Sequence, residues 1–436
     1  MRRAVERYFE FSTRGTSWAR ELVAGATTFV TMAYIIVVNP AILAEAGLPK
    51  DASVTATILV AAFGSLAMGI FARRPFAVAP LMGENAFVAF TVVGTLHQPW
   101  PVALGAVFWS GVTFTLLTLL GARKYLAEAI PPSLKYAIAT GIGLFLTFVG
   151  LHTSGLVVAS SQGPPVQLGN MHDPRVALAA AGFIAMCILT LRRIPGAIIL
   201  GITSISAVSM LAGLAPWPER MLAWPASIDP IAGKLDLWAS LSPSLWPVVF
   251  TIFVMVFVDT LATLYGLSIR AGLLDTRGLL PQIQRPMLVD AVATSVAAVL
   301  GTTTAGAYIE SAAGIAAGGR TGLVACVVAV LFLGSLFFWP LATAIPSYAY
   351  GPALILVGLM MLESIRRLDF EDWTELVPSF LTITLMVFTF HLGIGMTAGF
   401  LCYPFMKVAA GRAREVSVAQ WLLAALSAAF FLVSPH

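Results

Sequence analysis

GTTTAGAYIESAAGIAAGGRTG, residues 301–322, is a polar stretch in an otherwise apolar part of the chain. Apolar runs flank it on both sides, so we expect it to lie at the depth of a lipid bilayer. It nevertheless holds three consecutive threonines, six glycines and the carboxylate Glu310. Such backbone is tolerated at that depth only where it is buried in protein or lines a cavity, and a carboxylate there is a functional candidate. The alternative is a glycine-rich helix packed closely on its neighbours, with Glu310 only a satisfied structural residue.

The composition points to a polytopic membrane protein. Of the 436 residues, 58% are hydrophobic and 11% are charged, whereas a soluble domain is about 25% charged. Apolar runs long enough to span a bilayer recur along nearly the whole chain, which predicts an all-α membrane fold. The net charge of +4 comes from arginines in short loops and does not indicate a nucleic-acid partner. The cysteines, Cys187, Cys326 and Cys402, lie in apolar runs without metal-ligand spacing.

The apolar runs predict about fourteen transmembrane spans. In chain order they cover approximately residues 22–43, 54–71, 76–96, 102–120, 134–151, 176–191, 197–214, 245–269, 287–300, 301–322, 323–338, 341–362, 377–390 and 394–408. The last run, 416–433, is predicted to be an interfacial helix, with one more crossing as the alternative. With the N-terminus in the cytoplasm, 21 of the 25 lysines and arginines fall in cytoplasmic loops. The chain is therefore expected in the inner (cytoplasmic) membrane with both termini cytoplasmic.

Two spans are interrupted at matching places. The third has Pro80, Gly83, Glu84 and Asn85 in its middle, and the tenth is the polar stretch around Glu310. Each is the third span in its set of seven. Because each set has an odd number of spans, the second set starts on the opposite side of the membrane, and the two sets must be inverted relative to each other. Inverted repeats with interrupted helices at matching positions mark the central site of a transporter. We therefore divide the chain into four parts, namely a first repeat at 1–214, an extracytoplasmic linker loop at 215–244, a second repeat at 245–410 and a C-terminal segment at 411–436.

Four acidic residues fall within spans: Glu84, Asp259, Asp290 and Glu310. A carboxylate in a low-dielectric site can exchange a proton near neutral pH. Ionised, it accepts hydrogen bonds from N–H groups, and protonated, it donates one. This combination suits a small, planar, polar heterocycle together with a coupled proton. Asp290 is expected instead to form an ion pair with Arg285 or to serve as a helix N-terminal charge.

Each candidate has a structural alternative. Asp259 could bond a threonine hydroxyl, Glu84 could face the pathway without touching substrate, and Phe87 and Tyr308 could be ordinary packing residues. Four histidines are expected in or beside outer loops, namely His97, His152, His172 and His391. The chain has no P-loop, G-x-S-x-G, H-E-x-x-H or C-x-x-C motif, so neither an enzyme nor a cofactor or metal site is predicted.

Several motifs resemble those of one known family. The chain carries TTFVTMAYIIVVNPAIL at 27–43, APLMGENAF at 79–87, VDTLATLYG at 258–266 and YIESAAGIAAGGRTGL at 308–323. These motifs are similar to those of the AzgA-like hypoxanthine/guanine permeases, within the xanthine/uracil/nucleobase-ascorbate transporter superfamily. The resemblance extends over nearly the whole chain, and the motif of the tenth span is highly specific.

The resemblance implies two inverted seven-span repeats arranged as a core domain and a gate domain. In that family, short extended segments joined to half-helices interrupt the third and tenth spans. It also implies purine uptake driven by a proton gradient, and a homodimer. By position, Asn85, Asp259 and Glu310 match the polar binding residues, with Asp259 or Glu310 coupled to the proton. Phe87 and Tyr308 match positions beside the base, and Glu84 and Ile309 complete the expected site.

The chain departs from the family pattern within the expected pocket. The family has a glycine and an apolar residue where Leu81 and Glu84 stand, a glycine where Ala262 stands, and hydroxyls that are missing at residues 305–307. A different small polar heterocycle is therefore an alternative substrate. A channel-like or anion pathway on the same fold is a second alternative, although four intramembrane carboxylates would repel an anion. A membrane-embedded enzyme would need a nucleophile–base pair that the sequence lacks.

Overall fold

The computed structural model describes residues 2–121, 130–160, 165–273 and 280–433. The α-helices are α1 (Arg2–Tyr8), α2 (Phe11–Arg14), α3 (Trp18–Met32), α4 (Ile35–Glu45), α5 (Lys50–Ile70), α6 (Met82–Ala86), α7 (Trp100–Leu119), α8 (Pro132–Thr153), α9 (Pro174–Leu191), α10 (Ala197–Leu211), α11 (Trp246–Ala271), α12 (Gln284–Leu300), α13 (Ser311–Ala316), α14 (Leu323–Ser335), α15 (Trp339–Ala344), α16 (Ser347–Met361), α17 (Trp373–Phe388), α18 (Leu392–Ala409) and α19 (Val418–Val433). A π-helix follows α6 directly, over Phe87–Thr95.

The short elements complete the chain. The described residues include four strands, namely β1 (Val78–Pro80), β2 (Val157–Ala159), β3 (Val166–Leu168) and β4 (Ala305–Ala307). They form two antiparallel pairs, β1 with β4 and β2 with β3. Turns of 3₁₀-helix cover Ala239–Leu241, Pro243–Leu245, Leu336–Phe338, Leu362–Arg367 and Ala413–Glu415. One hydrophobic core extends through most of the helices, and both β1 and β4 are buried within it.

The described part of the chain contains nine helices long and apolar enough to cross a membrane, together with two shorter apolar helices. This is a multi-pass membrane protein with a mainly helical fold, as the composition predicts. Most predicted spans agree with observed helices to within a few residues. The predicted boundary before residue 341 is wrong, because α15 continues the preceding span to Ala344. The next helix, α16, starts only after Pro346, whose missing N–H makes it a favourable point of entry.

The first span also differs from the prediction. It was predicted as one run over residues 22–43; Asn39 and Pro40 lie inside α4, which continues to Glu45. The span is instead divided between α3 and α4, at Ala33 and Tyr34. Both Tyr34 and Asn39 are therefore buried within the bundle rather than placed at its edge.

The predicted extended segments are confirmed as β1 and β4. In the antiparallel register Val78 pairs with Ala307, and Pro80 pairs with Ala305. The Leu81 N–H donates to the Thr304 backbone carbonyl at 3.0 Å, and the Tyr308 N–H donates to the Ala77 backbone carbonyl at 2.9 Å. The pair joins two segments far apart in sequence, and α6 and α13 follow its two strands at opposite ends of the pair.

Hydroxyl groups satisfy the outer edges of both strands. Ser65 of α5 accepts from the Val78 N–H at 3.0 Å and donates to the Val78 carbonyl at 3.1 Å. Thr294 of α12 accepts from the Ala305 N–H at 3.3 Å and donates to the Ala305 carbonyl at 3.0 Å. Each strand thus has one residue whose two backbone groups bond a single side chain of the preceding long helix. Extended backbone at bilayer depth requires such internal partners.

Glycine allows the short helix α13 to approach the first span. A Cβ atom at Gly314 would lie 2.1 Å from the Thr28 hydroxyl and 2.5 Å from the Ala24 carbonyl oxygen. A Cβ atom at Gly319 would lie 2.8 Å from the Ala24 Cβ. Gly314 and Gly319 are therefore packing residues that hold α13 and the segment after it against α3.

The C-terminal helix α19 packs on α18, where the rings of Phe405 and Trp421 lie 5.9 Å apart in an edge-on arrangement. Its predicted interfacial position stays a prediction. Residues 434–436 of the predicted C-terminal segment lie outside the described part of the chain.

Candidate functional site

The β1–β4 pair positions the candidate site between the two half-helices. Glu84 lies in α6, directly after β1, and Glu310 is the residue before α13, shortly after β4. The long helix α11 packs against α6, β4 and α13, and it carries Asp259. The fold therefore brings together three carboxylates from segments that are distant in sequence. Glu84 and Asp259 are close enough to interact electrostatically, as are Asp259 and Glu310.

The three carboxylates differ in exposure. Glu84 is 3% exposed, and its Oε1 atom has no hydrogen-bond partner among the described residues. Asp259 and Glu310 are half-buried. A buried carboxylate oxygen without a partner is costly, so Glu84 is a strong candidate to accept a ligand N–H or to hold a proton.

Glu310 is not left unpaired. The phenol of Tyr34 donates to its Oε1 atom at 2.5 Å, and Tyr34 itself is 1% exposed. A bond from a fixed donor orients the carboxylate and competes with any ligand for one of its oxygens. Sequence reasoning missed Tyr34, because a tyrosine within an apolar helix carries no signal of a partner 276 residues away.

Asn85 is fully buried behind the carboxylates. Its side-chain Nδ2 donates to the side-chain Oδ1 of Asn39 in a very short contact. Asn39 in turn donates to the hydroxyls of Thr57 at 2.7 Å and Thr302 at 3.0 Å. The Oδ1 atom of Asn85 has no partner among the described residues. Asn39 was also missed, and the available signal was a polar side chain beside a proline within an apolar span.

Unpartnered buried polar atoms concentrate around this junction of strands and half-helices. Besides Glu84 and Asn85, the hydroxyls of Thr303 and Thr304 lack a hydrogen-bond partner within the described residues, and both threonines are fully buried. Native structures leave few such groups, and each requires an explanation such as a ligand, a water molecule or a functional proton.

The remaining predicted residues surround the same junction. Tyr308 is 5% exposed, and its hydroxyl donates to the Pro80 carbonyl oxygen across the strand pair. Ile309 is 44% exposed, and it approaches Gly266 of α11. Phe87 is fully buried, with its ring centroid 6.0 Å from that of His391. His391, in the turn between α17 and α18, is only 5% exposed.

The predicted partner of Asp290 is also wrong. Asp290 is fully buried, and its Oδ2 atom accepts from the Thr260 hydroxyl and from the Ala307 N–H, each at 3.1 Å. An ion pair with Arg285 was expected because the two residues are close in sequence. The carboxylate instead faces β4 and satisfies its backbone, so Asp290 supports the strand that precedes Glu310.

The arrangement is suited to binding a small polar molecule. Carboxylates accept hydrogen bonds from N–H groups, and when protonated they also donate. Within the described residues, no group of three or more His, Cys, Asp or Glu side chains has the geometry of a metal site. A polar site between interrupted helices, enclosed by membrane-spanning helices, defines a membrane transport protein.

Comparison with known proteins places this chain in a family. The profile of the Permease family (Xan_ur_permease) matches residues 19–401, and the chain belongs to this family. It is a permease and not an enzyme, and the sequence resemblance to nucleobase permeases is confirmed.

Curated relatives match over almost their whole length. The adenine permease AdeP of Escherichia coli (strain K12) is 40% identical over 413 residues, covering 95% of this chain and 92% of the relative. The guanine/hypoxanthine permease PbuO of Bacillus subtilis (strain 168) is 40% identical over 418 residues, covering 94% and 96%. Among solved structures, the transmembrane domain of a cyanobacterium bicarbonate transporter, BicA, shares the fold. Its TM-score is 0.64 at 16% identity, covering 87% of this chain and 97% of that chain.

Proposed function

We propose that this protein takes up purine nucleobases together with protons across the cytoplasmic membrane, by alternating access. The observation that carries the proposal is the convergence of Glu84, Asp259 and Glu310 at the junction of two interrupted helices. The substrate class is supported by relatives named for adenine and for guanine and hypoxanthine. Purine rings present N–H donors and carbonyl or ring-nitrogen acceptors along planar edges, which carboxylates and backbone amides can pair.

The roles of the residues follow from their positions. Asp259 and Glu310 are half-buried and would contact the ring, with one of them exchanging the coupled proton. Glu84 and Asn85 are adjacent in α6, each has an unpartnered side-chain oxygen, and they would complete the polar edge. Phe87, Tyr308 and Ile309 would form the apolar walls on which the ring lies.

The proposed mechanism uses two inverted repeats, at residues 1–214 and 245–410, joined by an extracytoplasmic linker at 215–244. The matching roles of Ser65 and Thr294, each in the span before an interrupted one, support this symmetry. Core and gate domains would move against each other around the site. Both termini would be cytoplasmic, the segment 411–436 would include an interfacial helix, and the protein would be a homodimer.

The decisive experiment measures uptake of labelled hypoxanthine, adenine and guanine into proteoliposomes, with and without an inward proton gradient. We expect accumulation above the outside concentration that requires the gradient and is blocked by unlabelled purines. Uptake that equilibrates without accumulation under a gradient would refute proton coupling. A gradient-driven flux of none of the three bases would refute the substrate class and leave the transporter class intact.

Two variants test the residue roles. Glu310→Gln should abolish concentrative uptake while leaving the protein folded, because it removes a titrating group and keeps the side-chain shape. Glu84→Gln should change which purine competes best, because the two acceptor oxygens of the carboxylate are replaced by one acceptor oxygen and one NH₂ donor. Glu363→Gln, an exposed carboxylate in the turn Leu362–Arg367, is the matched control and should behave as wild type.

A different polar heterocycle is the second candidate for the substrate. The unpartnered, buried Glu84 favours it, because this carboxylate adds a strong acceptor to the pocket. A ring with an additional N–H donor would then displace hypoxanthine in the competition assay, whereas an anion is opposed by three neighbouring carboxylates.

A further inference from the structure

A polar cavity lies away from the three carboxylates, on the face that the charge pattern predicts to be cytoplasmic. Its volume is about 520 Å³. Five arginines line it, with a single carboxylate among the described lining residues; these are Arg14, Arg73, Arg74, Arg285, Arg320 and Glu10. We call it the arginine cavity. Its walls come from α1 and α2, from the segment between α5 and β1, from the start of α12 and from the segment after α13.

The positive charge in the arginine cavity is poorly compensated. Glu10 lies 3.6 Å from Arg14 and 3.7 Å from Arg73, and all three side chains are more than a third exposed. Such long, exposed contacts contribute little. Arg73 also stacks over the ring of Tyr8 at 4.3 Å, a contact that orients the guanidinium without neutralising it.

The buried side chain of Arg74 makes this cavity different from an ordinary exposed basic loop. It is 7% exposed, and its Nη2 donates to the Pro281 carbonyl oxygen at 2.5 Å. Its Nε–H has no partner among the described residues. Burial and the neighbouring charges of Arg14 and Arg285 lower the pKa of this guanidinium. A buried guanidinium with an unused donor, beside two like charges, requires an anion to complete its environment.

Orientation in the membrane does not explain this arrangement. Arginines that only direct topology need to be near the membrane on the correct side, and they can remain hydrated. Arg192, Arg193 and Arg366 are of that kind, since all three are exposed. Arg74 is instead buried at the wall of a cavity, and this burial has a cost that topology does not require.

We propose that the arginine cavity binds a phosphate ester, with its phosphate on Arg74 and its charge balanced by Arg14 and Arg285. The planar guanidinium matches two phosphate oxygens at once. The cavity falls within the range of about 300–1,000 Å³ that is typical of sites for small organic ligands, so it exceeds the needs of a bare ion. Tyr8 and Phe9 supply an apolar wall for the organic part. The ester is either a soluble metabolite or the headgroup of an anionic phospholipid.

The position of the cavity connects it to the half-helix of the candidate site. Arg320 donates from Nη1 to the carbonyl oxygens of Ile315 and Gly319, each at 3.2 Å, at the end of α13. A ligand that binds the Arg320 guanidinium therefore competes with these bonds and affects the segment that begins with Glu310. The binding itself does not depend on the proposed transport function, so the two can fail separately.

The test uses the full chain purified in a neutral detergent, with calorimetric titration of glycerol 3-phosphate, and of glycerol as the uncharged match. A second arm compares thermal unfolding in nanodiscs of phosphatidylcholine with and without phosphatidylglycerol. The Arg14→Gln/Arg285→Gln double variant leaves the bond from Arg74 to Pro281 intact. The Arg192→Gln/Arg366→Gln double variant removes the same charge from exposed positions.

Binding of glycerol 3-phosphate that weakens about tenfold or more in the cavity variant only would establish a soluble phosphate ester. Stabilisation by phosphatidylglycerol that is lost in the cavity variant only would establish a lipid headgroup. Equal responses of the two double variants, or no response of the wild type to either probe, would overturn the proposal.

Discussion

Glu310 is held by Tyr34 across the bundle, and this single bond links the first span to the polar stretch. The phenol is 1% exposed and lies 2.5 Å from the carboxylate oxygen. The two residues are 276 positions apart in the sequence, so their side chains form this bond only in the folded protein. The carboxylate is thus held in one orientation before any ligand arrives, which reduces the ordering cost of binding.

Tyr34→Phe should therefore weaken substrate binding while leaving the ring packed. A hydrogen bond to a charged group contributes about 1.5–3 kcal/mol, and about 1.4 kcal/mol corresponds to tenfold, so we expect the KM for purine uptake to rise about tenfold or more. The measurement is initial uptake rate against substrate concentration in proteoliposomes. Tyr348→Phe, which removes a hydroxyl bonded to Ser209 away from the site, is the control. An unchanged KM in Tyr34→Phe would show that the bond does not orient Glu310 for binding.

Residue types and their spacing were enough to single out Glu84, Asp259 and Glu310 as candidates, because a carboxylate within an apolar run is conspicuous, and the structure brings the three together. They were not enough to find Tyr34 and Asn39, whose importance comes from partners distant in the chain. The prediction for Asp290 failed for the same reason, since it relied on a neighbour in sequence. What the sequence cannot supply at this scale is the set of contacts made between different spans.

At the scale of elements, the positions of the two helix interruptions could be predicted, whereas their contacts could not. Proline and glycine within apolar runs predicted the breaks, and β1 and β4 are found there. The register of the pair and the hydroxyls that cap it could not be read from the sequence, because Ser65 and Thr294 look like ordinary polar residues on long helices. The boundary between α15 and α16 was misplaced, since the run of apolar residues continues across it without a gap.

Close packing of α13 on α3 depends on Gly314. Gly314→Ala would place a Cβ atom 2.5 Å from the Ala24 backbone oxygen, which cannot move away without displacing the helix. Overpacking of this kind costs about 1–3 kcal/mol, so we expect a lower unfolding temperature and reduced uptake. Gly334→Ala is the matched control, because a Cβ atom there meets nothing within 4 Å. Equal unfolding temperatures for the two variants would show that α13 can shift without loss.

The caps on β1 and β4 make a second prediction at this scale. Ser65→Ala and Thr294→Ala each leave a buried backbone N–H and carbonyl with one partner fewer, at about 1–3 kcal/mol for an unsatisfied group. Both should lower the unfolding temperature and slow uptake by similar amounts, as expected for equivalent positions of an inverted repeat. Thr203→Ala, an exposed helix hydroxyl that bonds only carbonyls of its own helix, should have no effect on uptake. If only one of the two variants, Ser65→Ala or Thr294→Ala, lowered the unfolding temperature and the uptake rate, the two residues would not have equivalent roles.

Charge is segregated across the whole molecule. The carboxylates of the candidate site lie among the spans, whereas five of the eight ion pairs among the described residues lie near the end of the chain. There Lys407, which is 1% exposed, lies 2.6 Å from Glu375 and 3.1 Å from Glu415. Arg412 lies 2.6 Å from Asp372 and 2.6 Å from Glu415. This cluster fastens the start of α17 to the end of α18 and the segment before α19, so it stabilises the fold apart from the transport site.

The cluster and the candidate site should therefore respond to different ranges of pH. Hydrogen bonds from Thr374 and Arg412 hold the pKa of Asp372 well below its usual range, and bonds from Arg412 and Lys407 lower the pKa of Glu415. Carboxyls with a depressed pKa stabilise the fold fully above their ordinary value, about 4, and lose that contribution as the pH falls through the depressed value. Between pH 5 and 8 these groups do not titrate.

Asp372→Asn keeps a good helix cap and removes only the charge. We expect it to lower the unfolding temperature by a constant amount between about pH 5 and 8, with the difference from wild type shrinking near pH 3. Asp173→Asn, at the cap of α9 where the carboxylate accepts from the Arg175 N–H, is the control. The dependence of purine uptake on pH between 5 and 8 should then be the same in Asp372→Asn as in wild type. A shifted uptake profile in this variant would instead place the coupled proton outside the candidate site.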